Sequence, residues 1–343
     1  MSFSVGIVGL PNVGKSTFFK ALTKNKVDIG PFLFTTIKPN HGVVIVPDER
    51  LERVAEVVKP EKITPTLIEF VDIAGLVKNA YKGEGLGNQF LAEIRNCDAI
   101  CEVVRAFEDE KVEHAEKSVS PKRDIEIIKT ELLMKDLEVL EKAISKVEKK
   151  TEREEKKKFE ILSKIKEGVS RGMRVLEIPL SLEEKAEIKE LQLLTEKPVV
   201  YVLNVGNKNA SLDQCGISFI KLNLKLEEEV SELSNAEAEE LGLKSSLPEI
   251  ILNCYKVLDL ITFFTIAGNK ETRAWTLKNG LSVQEAGGVV HSDFKEKFIK
   301  AEVINWKNLI ESGNWKTVRE KGGLKVVGKD YIVCDGDVIE FKI

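Results

Sequence analysis

The chain has 343 residues, of which 43% are hydrophobic and 31% are charged, and its formal net charge is −4 at pH 7. This length exceeds one ordinary core and predicts about two to three domains. The charge argues against a protein that grips nucleic acid by overall charge, so we expect no DNA partner, and no run of about eighteen apolar residues is present that would span a membrane.

The cysteines and the first residues indicate the cellular compartment. The five cysteines form no CxxC pair and have no metal-ligand spacing with the three histidines; they are Cys97, Cys101, Cys215, Cys254 and Cys334. This pattern predicts free thiols in a reducing compartment. The run Val5–Val8 is typical of a core strand and argues against a signal peptide. We therefore expect a cytoplasmic protein.

Short β-rich runs alternate with helical stretches over residues 1–122. The predicted strands are Ser4–Val8, His41–Val46, Thr66–Asp72 and Ala99–Val104. Such alternation predicts an α/β domain with a doubly wound, mostly parallel sheet wrapped by helices.

A phosphate-binding motif follows the first strand. Residues 9–16, GLPNVGKS, match GxxxxGK[ST] and open a helix. The glycines let successive backbone N–H groups face the phosphates, and the helix N-terminus adds positive potential. Lys15 is placed to reach the β- and γ-phosphates, and the Ser16 hydroxyl to bind Mg²⁺. The residues predicted to hold the nucleotide phosphates are Asn12, Val13, Gly14, Lys15, Ser16 and Thr17.

A second motif supports a P-loop nucleoside triphosphatase over a chance Gly-rich turn. The strand that ends at Asp72 continues into Ile73-Ala74-Gly75, which completes DxxG. Asp72 is placed to hold Mg²⁺, directly or through water, and the Gly75 N–H to sense the γ-phosphate. Between the two motifs, either Thr35 or Thr36 supplies a hydroxyl that closes over Mg²⁺ when the γ-phosphate is present.

The apolar pattern becomes helical beyond Asp124. Apolar residues recur every three or four positions from Leu133 to Val147 and again from Phe159 to Val169, on either side of the charged stretch 148–158. This spacing predicts an antiparallel helical hairpin inserted in the α/β domain. A further helix is predicted to begin at the capping box of Ser181 and Glu184 and to end before Pro198.

The strand Val199–Asn204 is predicted to return to the sheet and to carry the base-recognition segment. Guanine-specific proteins of this class have NKxD there, whereas this chain has Asn204-Val205-Gly206-Asn207. Without a carboxylate, guanine loses a charge-assisted pair of about 1.5–3 kcal/mol. Asn204 and Val205 remain the predicted base-binding residues. Strict GTP specificity is disfavoured, although this argument alone does not establish ATP.

In many such enzymes a glutamine directly after DxxG orients the attacking water. In this chain it is Leu76, so catalysis either comes from another residue or is slow. His114 follows the polar stretch beyond Arg105-Ala106-Phe107 and is a candidate. A surface histidine with no role is the alternative.

Short strands return after about Leu258. The predicted strands are Ile261–Ile266, Arg273–Leu277, Phe298–Val303 and Asp337–Ile343, which indicate a small separate α+β domain. From Asp259 onward the chain has 13 Lys and Arg and 12 Asp and Glu. This balance is not the electrostatic footprint of an independent nucleic-acid binder.

Several stretches together resemble the YchF subfamily of Obg-like P-loop ATPases. They are GIVGLPNVGKST (6–17), FVDIAGLVKNAYKGEGLGNQFLAEIR (70–95), VVRAFED (103–109), LITFFTIAGNKETRAWTLKNG (260–280) and GVVHSDFKEKFIKAEVI (288–304). The resemblance implies an OBG-type G domain interrupted by a helical arm and followed by a TGS domain of β-grasp form. It also implies ATP as substrate in preference to GTP, and association with the ribosome through its large subunit.

The resemblance assigns roles that the residues alone left open. It implies that Thr36 rather than Thr35 closes over Mg²⁺, and that His114, on a mobile loop, replaces the missing glutamine. In related translation NTPases an asparagine at the position of Asn12 helps to bind a monovalent cation, so K⁺ is expected beside Mg²⁺. The chain departs from the family's NxxE base motif, because Asn207 stands in place of the acid.

Three domains and one function follow as expectations. Residues 1–122 and 196–258 form the nucleotide-binding domain, 123–195 the helical insertion and 259–343 the TGS-like domain. We expect an Mg²⁺-dependent ATPase that acts as a slow switch on the ribosome. The alternatives are a nucleotide-gated ribosome-binding adaptor with incidental hydrolysis, and a GTPase.

Overall fold

The computed structural model describes residues 3–24, 40–73, 87–109, 112, 114–148, 150, 152–206, 217–268 and 270–343. The chain divides into two units. The larger unit comprises residues 3–42 and 69–250, and the smaller unit comprises residues 43–68 and 251–343. In the described part of the chain, no helix is long and apolar enough to cross a membrane.

Strands and helices alternate through the first half of the chain, as predicted. In chain order the elements are β1 (Ser4–Val8), α1 (Lys15–Lys24), β2 (His41–Ile45), α2 (Glu49–Val58), β3 (Lys62–Thr64), β4 (Leu67–Asp72), α3 (Gly87–Asn96), β5 (Ala99–Arg105), α4 (Pro121–Val147), α5 (Arg153–Ser170), α6 (Leu182–Ile188), β6 (Val199–Asn204), β7 (Phe219–Leu222), α7 (Leu224–Val230), α8 (Asn235–Glu240) and α9 (Leu247–Val257).

One six-stranded sheet runs in the order β2-β4-β1-β5-β6-β7. The pairs β1–β4, β1–β5, β5–β6 and β6–β7 are all parallel. Every residue of β1 and of β5 is buried, as in a sheet covered on both faces. The doubly wound, mostly parallel sheet is therefore confirmed, and it brings the carboxyl ends of β1 and β4 side by side.

The predicted helical hairpin is present between β5 and β6. Helices α4 and α5 pack on one another through an apolar core that includes Leu140, Leu162 and Ile165. Only residues 148–152 join the two helices, so they run antiparallel.

The helix after the hairpin is shorter than predicted. The capping box of Ser181 and Glu184 is formed, but α6 ends at Ile188 rather than just before Pro198. The 3₁₀ turns Lys189–Leu191 and Leu194–Glu196 fill the interval, separated by Gln192 in the left-handed conformation.

The C-terminal residues form a second sheet with flanking helices. Its remaining elements are β8 (Leu260–Ala267), β9 (Glu271–Lys278), α10 (Val283–Val290), α11 (Ser292–Glu296), β10 (Lys300–Asn305), α12 (Trp306–Ser312), α13 (Trp315–Glu320), β11 (Lys325–Val327) and β12 (Asp337–Lys342). The sheet order is β11-β10-β12-β8-β9-β3. A parallel pair of β8 and β12 at the centre, flanked by antiparallel strands, is the predicted β-grasp form.

Residues 43–68 belong to this smaller unit, although the sequence assigns them to the nucleotide-binding domain. Strand β3 pairs in parallel with β9, and the Thr64 hydroxyl donates to Glu271 over 2.5 Å. The apolar side of α2 joins the same core through Leu51 and Val54, which cluster with Phe264. Burial of these side chains, rather than the order of the elements, determines which core the segment joins.

Candidate active site

The phosphate-binding loop between β1 and α1 depends on two glycines with different requirements. A Cβ at Gly9 would lie 2.5 Å from the Val103 carbonyl oxygen, so no larger residue fits against β5. Gly14 has φ +106°, and its Cβ would lie 2.8 Å from Asn204 Nδ2. The loop thus passes close to β5 and β6 before α1 begins at Lys15, with the N-terminus of α1 beside it.

Lys15 lies at the start of α1 and is buried. Its Nζ donates to the Gly9 and Leu10 carbonyl oxygens over 3.1 and 2.9 Å. Burial lowers the pKa of Lys15 to about 8, against the opposing effect of the Asp72 charge. A phosphate group close to this ammonium would favour its charged form.

Ser16 and Asp72 come together from the two sequence motifs. The Ser16 hydroxyl donates to Asp72 Oδ2 over 3.2 Å. Burial raises the pKa of Asp72, while the Ser16 hydrogen bond and the Lys15 charge lower it. A hydroxyl and a carboxylate in contact are the hard oxygen ligands that Mg²⁺ uses in phosphate sites. The residues present therefore fit Mg²⁺, although Thr36 and Gly75 lie outside the described residues.

These side chains face a single cleft of about 330 Å³. Its lining consists of Pro11, Asn12, Lys15, Ser16, Asn40, Asp72 and Ile73. The structure thus brings together four of the predicted site residues.

Asn40 is a lining residue that the sequence reasoning missed. It has φ 70°, a conformation that asparagine adopts more readily than most residues, and its carbonyl accepts from the Asp72 N–H over 2.8 Å. Its position directly after Pro39, ahead of β2, is the signal that could have identified it.

Asn204 connects β6 to the phosphate-binding loop. Its Nδ2 donates to the Val13 carbonyl oxygen over 2.9 Å, and its Oδ1 accepts from the Leu224 N–H over 3.3 Å. The neighbouring Val205 N–H donates to the Leu222 carbonyl oxygen over 2.9 Å. Asn204 therefore holds the loop and the start of α7 in register. Asn207, the position of the family's acid, lies outside the described residues.

Thr17 follows Ser16 in the first turn of α1, where it is half-buried. Together with Val13 and Gly14 it keeps the loop and helix positions that the motif predicts. Their positions follow from the motif spacing because the loop is continuous in the chain, and their contacts with phosphate stay a prediction.

His114 is not on an exposed loop, and among the described residues it does not line the cleft. Its Nε2 lies 2.9 Å from Asp124 Oδ2, and its Nδ1 accepts from the Glu116 N–H over 3.0 Å. Because Nδ1 is an acceptor, the neutral ring carries its proton on Nε2 and donates it to Asp124. The alternative of a surface histidine is therefore wrong, because the side chain of His114 is buried.

Buried Arg105, at the end of β5, contacts the chain that leads to His114. Its Nε and Nη1 donate to the carbonyl oxygens of Phe107 and Val112, each over 3.0 Å. Its guanidinium also lies 4.5 Å from the centre of the Phe107 ring. An arginine at the last position of a fully buried strand was the available signal for this role.

A phosphate-binding loop at the carboxyl edge of a parallel sheet, with a buried lysine and a paired serine and aspartate in one cleft, defines a P-loop nucleoside triphosphatase. A family model described as a 50S ribosome-binding GTPase matches residues 4–142. A C-terminal model named for the YchF GTPase, described as a protein of unknown function, matches residues 260–343.

Full-length relatives identify the family. The ribosome-binding ATPase YchF of Bacillus subtilis is 43% identical, covering 100% of this chain and 99% of its own. The Escherichia coli O157:H7 protein of the same name is 44% identical, covering 99% of each. The solved YchF GTPase of Schizosaccharomyces pombe is 35% identical with a TM-score of 0.88, covering 99% of this chain and 98% of its own. The chain belongs to the YchF family, which confirms the resemblance seen in the sequence.

Proposed function

We propose that this protein is an Mg²⁺-dependent ATPase that acts as a slow nucleotide-dependent switch and associates with the ribosome in the cytoplasm. The observation that supports hydrolysis is the contact of Ser16 with Asp72 beside the buried Lys15 ammonium. The bacterial relatives named ribosome-binding ATPase support the substrate and the partner. Residues 259–343 serve in this proposal as the TGS-like domain.

The residues of the cleft divide the work. Lys15 neutralises phosphate charge, and backbone N–H groups of residues 12–17 bind the phosphate oxygens. Ser16, Asp72 and Thr36 hold Mg²⁺, which when bound neutralises charge that develops on the transferred phosphoryl group. Gly75 senses the γ-phosphate. Of these residues, Thr36 and Gly75 take their roles from the sequence alone.

ATP is the proposed substrate because no carboxylate follows β6 in the base-recognition segment. Asn204 and Val205 remain the proposed base contacts, with one N–H of the Asn204 amide engaged by Val13. A GTPase is the second candidate, since the Schizosaccharomyces pombe relative bears that name. A competition titration with the two nucleotides decides between them. GTP bound about tenfold more tightly, or about 1.4 kcal/mol, would exclude the ATPase proposal.

The phosphate site itself is tested by Lys15→Ala. Loss of the ammonium should abolish tight triphosphate binding while the folded structure remains, as judged by thermal unfolding. Lys20→Ala, an exposed lysine on the same helix, is the matched control. Unchanged ATP affinity in folded Lys15→Ala protein would falsify the assignment.

His114 is the proposed group that positions the attacking water, because Leu76 cannot do so. His114→Ala should lower kcat by about 10²-fold. The ATP affinity should stay nearly unchanged, because His114 is proposed to act on the attacking water in the transition state and not on the bound nucleotide. A fall in affinity together with kcat would mean that His114 contacts nucleotide before the reaction, contrary to this role.

Asn12 supports a further proposal of K⁺ at the cleft. A monovalent ion there would supply charge where the transition state develops it. Turnover measured in potassium and in sodium buffers tests this role, and equal rates would exclude it.

Ribosome association is tested by turnover with and without ribosomes, together with co-sedimentation. The switch predicts nucleotide-dependent binding and a ribosome-dependent change in kcat. Nucleotide-dependent binding without any change in kcat would favour the adaptor with incidental hydrolysis.

A further inference from the structure

The contact between His114 and Asp124 differs from the pairing that usually activates a catalytic histidine. In such a pair the carboxylate holds one ring nitrogen and the other faces the substrate. Here Asp124 occupies Nε2, and the Glu116 N–H occupies Nδ1. Both nitrogens are engaged within the protein, and the side chains of His114 and Asp124 are each only 4% exposed. In this arrangement neither nitrogen is free to contact a water molecule.

Asp124 is itself fixed on both oxygens. Its Oδ1 accepts from Arg123 Nε and Nη2 over 3.1 and 2.9 Å, while Oδ2 accepts a hydrogen bond from His114 Nε2–H. Arg123 Nη1 in turn donates to the Ser118 hydroxyl over 2.8 Å. The Asp124 N–H donates to the Ser120 carbonyl oxygen in the first turn of α4. The carboxylate that holds His114 is thus part of the start of the hairpin.

We propose that Asp124 is a positioning residue that holds His114 in an inactive place, and that the Nε2–H···Oδ2 bond must break before His114 acts on water. This inference rests on the proposed role of His114. Since Asp124 lies in the first turn of α4, a displacement of that turn releases the histidine. The hairpin thereby regulates turnover through one hydrogen bond.

The expected consequence is a change in kcat alone. If only a fraction of molecules has His114 released, the observed kcat is that fraction of the kcat of the released form. Asp124→Leu, similar in size and unable to accept a hydrogen bond, should raise kcat about threefold or more by increasing this fraction. The KM for ATP should stay the same, because Asp124 does not line the cleft.

The experiment compares steady-state ATP turnover by the full chain and by five variants: Asp124→Leu, Asp124→Asn, His114→Ala, the double variant His114→Ala/Asp124→Leu, and Lys122→Ala as the matched control. Lys122 is exposed in the same first turn of α4, so Lys122→Ala should leave kcat unchanged. Asp124→Asn retains an acceptor oxygen without charge and should raise kcat less than Asp124→Leu. The double variant should turn over no faster than His114→Ala.

The outcomes separate this inference from the function on which it rests. A fall of kcat in Asp124→Leu to the His114→Ala level would show that Asp124 orients the histidine for reaction, which overturns the holding role while the role of His114 stands. No effect of His114→Ala would remove the proposed role of His114 and this inference with it. If Asp124→Leu does not fold, Asp124→Asn carries the test, and an unchanged or lower kcat in that variant overturns the proposal.

Discussion

Raising the pH through the pKa of Lys15 should weaken the binding of a nucleoside triphosphate. The ammonium is buried and hydrogen-bonded to the Gly9 and Leu10 carbonyl oxygens. Burial lowers its pKa from 10.5 to about 8. Phosphate oxygens close to Nζ favour the charged form, so the complex holds a proton that part of the free protein has lost.

The magnitude follows from the protonated fraction of free Lys15. With a pKa of about 8, that fraction falls from about nine-tenths near pH 7 to about one-tenth near pH 9. If the charged form is the one that binds, the apparent affinity falls about tenfold over this interval, or about 1.4 kcal/mol. The terminal phosphate does not contribute to this change, because a phosphate group with a second pKa of about 6 is already ionised over this interval.

A fluorescence titration with a nucleotide analogue across this pH range measures the effect. Calorimetry near pH 8, in two buffers of different ionisation enthalpy, should detect uptake of about half a proton. Lys15→Arg keeps its charge at every pH used, so its affinity should show no such slope. Lys20→Gln should follow the wild-type curve. A flat affinity in the wild-type chain, or an equal slope in Lys15→Arg, would refute the reasoning.

Three further predictions concern buried polar groups. Burial raises the pKa of Glu102 well above 4.5, so the folded chain retains a proton that the unfolded chain loses, and the free energy of unfolding falls by up to about 1.4 kcal/mol per pH unit as the pH rises above 4.5. In urea unfolding, Glu102→Gln should remove this slope and exposed Glu160→Gln should keep it. Identical slopes in the two variants would contradict the assignment. Asp136 accepts from two backbone N–H groups and a threonine hydroxyl of the segment before β6. Asp136→Ala should therefore lower the unfolding free energy by about 1–3 kcal/mol for each buried donor left unpaired, and a total loss below about 1 kcal/mol would count against this. Asn204→Asp places a carboxylate against the Val13 carbonyl oxygen and should weaken triphosphate binding about tenfold, whereas an unchanged dissociation constant would show that the loop does not depend on this bond.

Most of the fold could be predicted because it is encoded locally. Strands β1 and β6 have the predicted bounds, since continuous apolar runs end at turn residues. The hairpin follows from its three- and four-residue spacing. The end of α6 could not be predicted, because no proline or glycine marks it and Gln192 takes a left-handed conformation.

The site divides in the same way. Lys15, Ser16 and Asp72 could be placed because each follows its strand within a recognisable motif, and parallel strands bring those ends together. The surroundings of His114 could not be predicted, since its partner Asp124 belongs to the first turn of α4 and no spacing rule pairs a loop histidine with that turn. Whether a polar residue is buried depends on such partners, which a single sequence does not reveal.

The segment between Asn40 and Asp72 explains why the unit boundary differs from the sequence-based one. Both end residues line the nucleotide cleft, and the Asp72 N–H donates to the Asn40 carbonyl oxygen. The chain between them contributes α2 and β3 to the core of the smaller unit. Its apolar spacing indicates a helix and a strand but not which sheet covers them.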